Sequence, residues 1–317
     1  MSQENKLLDQ LNLYKNTEIY FWGASLFLEE FIRNNDISFF NIKGVIDSDT
    51  SKAGNKFMGF EIYSPLILEG KTNNTTVIYT IQKEHTRRYW EVRKTLKNIN
   101  CKVNYALDIF YIKEDKDKTS NKIFLVDNEN CKIEVDYIPG IEFKWWGENS
   151  IVEIGANPMP EFYNTKISCE NNSKVIIGSS NYKIENLEAI LTRENNQLII
   201  GKNFSCTGPK FMLTSCTNQK ISIGDDCLFS SEVVFRASDG HKIYDLDTKE
   251  TYNHPEDIKI GNHVWIGLRT IILKGVEIND NCIIAAGAMV NKKFKDKNVI
   301  LAGVPAKIVK RNVDWRH

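Results

Sequence analysis

The sequence predicts two folds in one chain: an α/β unit, followed by an all-β column of short parallel strands wound into stacked coils and closed by a short tail. Three observations carry that expectation. Roughly the first third alternates short apolar runs with stretches of helical spacing, the pattern of a parallel sheet with covering helices. From residue 150 onward the pair Ile-Gly returns at 154, 177, 200, 223 and 260, at intervals of 23, 23, 23 and 37 residues. After Ile260 aliphatic side chains occupy every sixth position: Ile260, Ile266, Ile272, Ile278, Ile284 and Val290.

Composition bounds the function classes. The chain has 317 residues, which at about 150 per domain suggests two domains. Apolar residues make up 42% and charged ones 26%, and 41 Lys+Arg balance 41 Asp+Glu. That balance speaks against wholesale disorder and against a polybasic footprint, so no nucleic-acid partner is expected. No run approaches the roughly 18 to 20 apolar residues of a membrane span, and the N-terminus lacks the basic-then-apolar order of a signal peptide. A cytoplasmic protein is the expectation. Seven cysteines, at 101, 131, 169, 206, 216, 227 and 282, are odd in number and never form a C-x-x-C pair. They read as small core residues rather than a disulfide framework or a zinc ribbon.

The α/β unit is expected over 1–112. The run EIYFW (18–22) ends at Gly23-Ala24-Ser25 and is followed by LFLEEFIRNN at helical spacing, giving strand, tight turn and helix. NIKGVIDSD (41–49) and TTVIYTI (75–81) supply further strands, a helix is expected from Glu84 to Asn98, and CKVNYALDIF (101–110) closes the series. A full dinucleotide fingerprint needs three glycines, whereas Gly23 is followed by Ser25 and Leu28. Asp47, 24 residues after Gly23, stands where a ribose-binding carboxylate often lies, and is equally an ordinary turn former. Ligand site and plain scaffold both remain open for this unit. The charged run KEDKDKTSNK marks a surface linker, and 113–150 reads as linker and short strands, with Trp145 and Trp146 in packing roles.

The all-β part is expected over 151–317. An apolar period of six fits neither a helix nor a single strand, so each hexad is one short strand plus a turn that brings the same position back inward. Three hexads make a coil of 18. The intervals of 23 are then a coil plus five residues, and 37 is a coil plus nineteen.

The repeated [Ile/Val]-Gly-x-x-[small]-x, together with IGNHVWIG (260–267), AAGAMVNK (285–292) and LAGVPAKIVK (301–310), resembles the hexapeptide-repeat acyltransferases, above all bacterial sugar and polysaccharide O-acetyltransferases. The resemblance implies left-handed coils, a homotrimer, and acetyl-CoA in the groove between neighbouring columns. It implies O-acetylation of a sugar or polysaccharide acceptor without a metal. The N-terminal half is similar to the Rossmann-like domain fused to some of these enzymes. Two other functions stay in view: N-acetylation of a nucleotide-linked amino sugar, and a non-catalytic scaffold.

The nineteen extra residues fall between Phe235 and Ile260 and contain SDGHKIYDLDTKETYNHP (238–255). Acetyl transfer to a hydroxyl needs a base, and an imidazole with an ordinary pKa of about 6.5 suits that task. His241 is the candidate, and its place after Asp239-Gly240 matches the family's catalytic histidine. Asp239 is the first choice to orient its ring, with Asp245 and Asp247 as alternatives. Arg236 should face outward near His241, to bind an acidic group of the acceptor or to pair with Asp239. His254 and His263 are expected to line the acceptor or to serve structure. The spacings of 13 and 9 between 241, 254 and 263 do not suit a three-histidine zinc site. By resemblance, Ala286, Asn291 and Lys292 line the coenzyme groove, and Lys307 and Lys310 lie near its phosphates.

Overall fold

A computed structural model describes residues 7–8, 11–72, 74–80, 92, 95–96, 98–99, 101, 103–106, 120–135 and 137–316. The chain divides into two compact units, Met1–Lys118 and Thr119–His317.

The first unit is a six-stranded sheet in the spatial order Lys56–Phe57, Phe60–Tyr63, Ile42–Ile46, Glu18–Trp22, Thr75–Tyr79, Asn104–Ala106. All neighbours are parallel except the hairpin at the Lys56–Phe57 edge. The helix Leu26–Asn34 starts where the Ser25 hydroxyl accepts the Leu28 N–H and donates to the Thr80 carbonyl at 2.7 Å. Its buried Phe27, Leu28 and Phe31 pack on Ile19, Phe21 and Val45. Leu28 therefore stands as core in the place of a fingerprint glycine. Asp47 accepts from the Asp49 N–H and from the Lys52 ammonium, both at 2.9 Å, and so serves its turn. Most of the helix expected from Glu84 to Asn98 lies outside the described residues.

The second unit is built from three sheets visited in rotation. The first face stacks Lys122–Val126, Ile151–Gly155, Lys174–Ile177, Gln197–Ile200, Lys220–Ile223, Ile258–Ile260 and Glu277–Ile278. The second stacks Glu161–Tyr163, Lys183–Glu185, Ser205–Cys206, Leu228–Phe229, Trp265–Ile266, Ile283–Ile284 and Val299–Ala302. The third stacks Ile141–Trp145, Thr165–Asn171, Glu188–Glu194, Lys210–Leu213, Val234–Arg236, Ile271–Leu273 and Met289–Val290. Strands within a face are parallel. The exceptions are two edge strands, Lys132–Val135 on the first face and Lys307–Arg311 on the second, each antiparallel to its neighbour. The segment 120–150 thus contributes strands to the first and third faces of the same stack.

The period of the sequence becomes the register of the first face. Ile154 lies opposite Ile177, Ile177 opposite Ile200, Ile200 opposite Ile223, Ile223 opposite Ile260 and Ile260 opposite Ile278. Every insertion leaves as a loop, and the chain re-enters in phase. The glycine after each isoleucine has a steric reason: a Cβ on Gly201 would stand 2.7 Å from the carbonyl carbon of Gly224, and one on Gly224 2.6 Å from that of Gly261. The next residue closes the corner through a ladder. Asp225 accepts the Lys202 N–H at 2.6 Å, Asn262 the Asp225 N–H at 2.8 Å and Asp280 the Asn262 N–H at 2.9 Å. Inside the coils, Phe204, Phe211, Phe229 and Phe235 form a buried ring stack with centroid separations of 4.7 to 6.5 Å. Cys169, Cys206, Cys216, Cys227 and Cys282 are buried free thiols, and burial pushes the Cys169 thiol up to about 12.

Phe229 touches three of those rings, so Phe229→Ala leaves a void that closely stacked coils cannot collapse to fill. A loss of about 3–5 kcal/mol is expected, read as a lower urea midpoint with an unchanged slope.

Candidate active site

Side chains along a strand alternate between the interior and solvent, and the third face presents one outward row of special composition. Phe235 is buried, so Val234 and Arg236 on either side of it face out. Strand pairing places Arg236 between Met212 on one side and Leu273 on the other. Continued by one residue, the pairing of Ile272 with Val290 brings Asn291 opposite Leu273. Arg236, Leu273 and Asn291 therefore share a row, and Lys274 and Lys292 follow at the corner where the third face turns toward the first.

The long insertion leaves at that same corner. Ser238 is buried and its hydroxyl donates to the Thr214 carbonyl at 2.5 Å, which anchors the exit, while the Glu256 N–H donates to the Ala237 carbonyl at 3.2 Å and closes the neck. The turn at Gly240 has φ +83°, a left-handed conformation that glycine adopts without penalty. Next comes His241. Its backbone carbonyl accepts from the Asn253 amide at 2.7 Å, and the same amide nitrogen donates to Asp239 at 2.9 Å. The Asn253 oxygen accepts the Ile243 N–H at 2.6 Å. Asp239 is held in turn by the Lys274 ammonium at 2.6 Å, which keeps its carboxyl below the usual range. At the loop's far end the Tyr252 hydroxyl and the Thr248 and Asp247 N–H groups bind Asp245 and lower its pKa to about 2.

The predicted residues fall into distinct groups. Arg236, Asp239 and His241 come together: the Arg236 Nη2 lies 3.5 Å from where a Cβ would stand on Gly240. Asp239 makes no hydrogen bond to the His241 ring; its Oδ2 takes both the Lys274 ammonium and the Asn253 amide. Asp245 serves Tyr252 and local backbone. Among the described residues no side chain hydrogen-bonds the exposed His241 ring. His254 sits exposed at the loop exit, one residue after Asn253. His263 stands at another corner, between the first and second faces. There its ring stacks on Trp315 with centroids 4.4 Å apart and planes 8° from parallel, while Nε2 lies 3.1 Å from Asp314. The left-handed φ of +54° at His263 matches Asn203, Asp226 and Asn281 in the coils around it.

Ala286 is exposed at the corner between the second and third faces, with its N–H 2.7 Å from a Cβ placed on Gly267. Below it, the same edge carries an open groove of about 450 Å³ between Gly208, Glu232, Val234, Arg269 and Ile271. Asn291 and exposed Lys292 belong to the His241 corner, and the Lys292 ammonium lies 5.4 Å from the Phe294 ring centre. The turn 303–306 folds over the end of the third face, with Met289 bonded to Gly303 and Ala306. Lys307 leaves from that turn, and Lys310 follows on the exposed final strand. Two residues were not singled out from the sequence: Asn253, the hub of the loop, and Lys274, the counter-ion of Asp239. Neither lies in a recognisable motif, and Lys274 finds Asp239 only because one coil stacks on the next.

Among the described residues no three His, Cys, Asp or Glu side chains stand close enough to hold a metal ion. None of the described helices is long and apolar enough to cross a membrane.

The model of the bacterial transferase hexapeptide family, six repeats long, matches residues 257–292. The polysialic acid O-acetyltransferase of Neisseria meningitidis is 35% identical over 162 residues, covering 48% of this chain and 75% of that protein. The chain belongs to the hexapeptide-repeat acyltransferases. The galactoside O-acetyltransferase of Escherichia coli K12 is 38% identical over 113 residues, which cover 35% of this chain and 52% of that enzyme. The crystal structure of the polySia-specific acetyltransferase NeuO is 27% identical at a TM-score of 0.52, covering 63% of this chain and 79% of that one. The polysialic acid O-acetyltransferase of Escherichia coli O1:K1 is 33% identical over 126 residues, and the chain spans only 40% of that protein's length. The acyltransferase keeps its regular coils for the column and places the irregular segment beside the third face.

Asp239 and Asp245 have lowered pKa values in the folded loop. Their contribution is present above the ordinary value near 3.8 and is lost as pH falls below it, for Asp245 toward about 2. Amide protection over 239–252 should therefore drop between pH 4 and pH 2, ahead of the column strands. Asn253→Ala should produce the same loss at pH 7, measured by hydrogen exchange.

Proposed function

We propose that this chain transfers an acetyl group from acetyl-CoA to a hydroxyl of a sugar in a bacterial surface glycan. The supporting observation is His241 itself. Its imidazole is exposed and bonded to no side chain among the described residues, while its backbone is pinned through Asn253 at the edge of the third face. A general base needs a free ring nitrogen in a fixed place.

In the proposed reaction an imidazole nitrogen of His241 takes the hydroxyl proton as the sugar oxygen attacks the thioester carbonyl. The C–S bond then breaks, and the coenzyme A sulfur leaves with the proton returned by the imidazolium. No acyl-enzyme forms. Asp239 acts through Asn253 on the loop backbone, a positioning role in place of the ring contact expected from the sequence. Ala286 leaves backbone groups accessible to the amides of the pantetheine arm, Asn291 and Lys292 border the same region, and Lys307 and Lys310 supply charge for the phosphates. Arg236 and His254 face the acceptor. His263 is proposed as a structural support, since Trp315 covers its ring. The active assembly is proposed as a cytoplasmic homotrimer of left-handed columns, with neighbouring subunits forming the walls of the groove.

Removal of a general base typically costs 10²- to 10⁴-fold. His241→Ala should lower kcat on that scale for acetyl transfer to a glycan acceptor, with the dissociation constant for acetyl-CoA and the thermal midpoint unchanged. Full retained activity would assign the base elsewhere.

A further inference from the structure

Arg236 is a half-buried cation that makes no direct ion pair among the described residues, although the Asp239 carboxylate lies within reach of its charge. The row it belongs to offers no counter-ion, since its strand neighbours are Met212 and Leu273. The nearest acid in sequence, Asp239, is engaged by Lys274 at 2.6 Å and by Asn253 at 2.9 Å. Among the described residues no carboxylate pairs with the Arg236 guanidinium. Other outward cations on this face behave differently: Lys210 pairs with Glu188 at 2.8 Å, and Arg269, at the face's edge, pairs with Glu232 at 2.9 Å.

Position adds to the argument. The guanidinium lies against Gly240, the residue before His241, so it stands at the base of the loop that carries the imidazole. Met212 and Leu273 flank the donor with apolar surface, against which the C–H face of a sugar ring can pack. A guanidinium offers two parallel N–H groups that match the two oxygens of a carboxylate, and partial burial raises the worth of that match.

We infer that Arg236 binds a carboxylate carried by the acceptor sugar, and that the acceptor is an acidic glycan whose acetylated hydroxyl lies close to its acid group. This rests on the O-acetyl transfer reading above. It also goes beyond the comparisons, whose members act on acidic polysialic acid in one case and on neutral galactosides in another. Lys274 and Asn253 both bond the Asp239 Oδ2, so the hydrogen bonds of that carboxylate go to them and not to the guanidinium.

The test uses the full chain and labelled acetyl-CoA with polysialic acid, polygalacturonic acid, the carboxyl-reduced form of each, and a neutral galactoside. The wild type should use at least one acid with a KM about tenfold or more below that of its carboxyl-reduced form. Arg236→Gln should raise the KM for that acid about 10- to 100-fold, the range for a charged hydrogen-bonded pair, without changing the KM for acetyl-CoA or for the reduced acceptor. Arg236→Lys, which keeps the charge and loses the fork, should fall between. Equal use of acid and reduced acceptor, preference for the neutral galactoside, or an Arg236→Gln effect on the acetyl-CoA KM instead would overturn the inference while leaving the transferase reading standing. Transfer by the wild type to none of the five acceptors would overturn both. The acid-against-reduced comparison on the wild type decides the matter even if the variants do not fold.

Discussion

The second unit depends on one constraint: successive coils approach so closely at the corner after Ile154, Ile177, Ile200, Ile223 and Ile260 that only glycine fits there. Everything regular in the column follows from that approach. Parallel pairing brings isoleucine over isoleucine, the neighbouring Asx side chains bond the corner amides of the next coil, and phenylalanines fill the interior. Because each coil repeats the same contacts, stability accrues from nearest-neighbour interfaces, and an insertion is tolerated wherever the chain can leave and return in register. The excursion after Arg236 is the longest example. It costs the stack little, since Ile223 and Ile260 still meet as though no loop stood between them.

That tolerance lets a rigid scaffold carry a side chain that must be both free and fixed. The loop is tied down by its backbone. Asn253 grips Asp239, the carbonyl of His241 and the amide of Ile243 with one side chain, and Lys274 extends the grip to the next coil. The imidazole is left out of all these bonds.

Much of this was legible in the sequence because a six-residue period has few physical solutions. The Ile-Gly pairs announced the corners, and the interval of 37 located the loop and with it His241. What stayed hidden were relations between coils. Nothing in the sequence around Asn253 marks it as a hub, and the pairing of Lys274 with Asp239 depends on a register that no single hexad displays. For His263 the sequence left a structural and an acceptor-lining role open, and only the fold shows Trp315 stacked on its ring. The start of the column was also obscured. Lys122–Val126 and Ile141–Trp145 belong to its faces, yet they lack the Ile-Gly signature, and Lys132–Val135 interrupts them with an antiparallel turn. In the first unit Gly23 and Asp47 look alike as motif fragments, and the structure gives Asp47 a local task in its own turn.

The outward row of the third face shows how a uniform repeat is divided between holding and working. Toward the N-terminal end it alternates in charge: Lys166 reaches Glu142, and Lys210 pairs with Glu188. Such pairs add little stability at an exposed surface. Above them the same positions become Val234, Ile271 and Met289, and the parallel row runs through Met212, Arg236 and Leu273. Nothing in the backbone changes at that point, since the strands and their spacing continue unaltered. The change is one of composition alone, from paired charge to apolar surface around Arg236, which makes no direct ion pair among the described residues, and it occurs at the level where the loop delivers His241. A face selected only for stability would have no reason to abandon its pairing at that level, whereas a face that receives a ligand from solvent must leave some of its hydrogen-bonding capacity unspent until the ligand arrives.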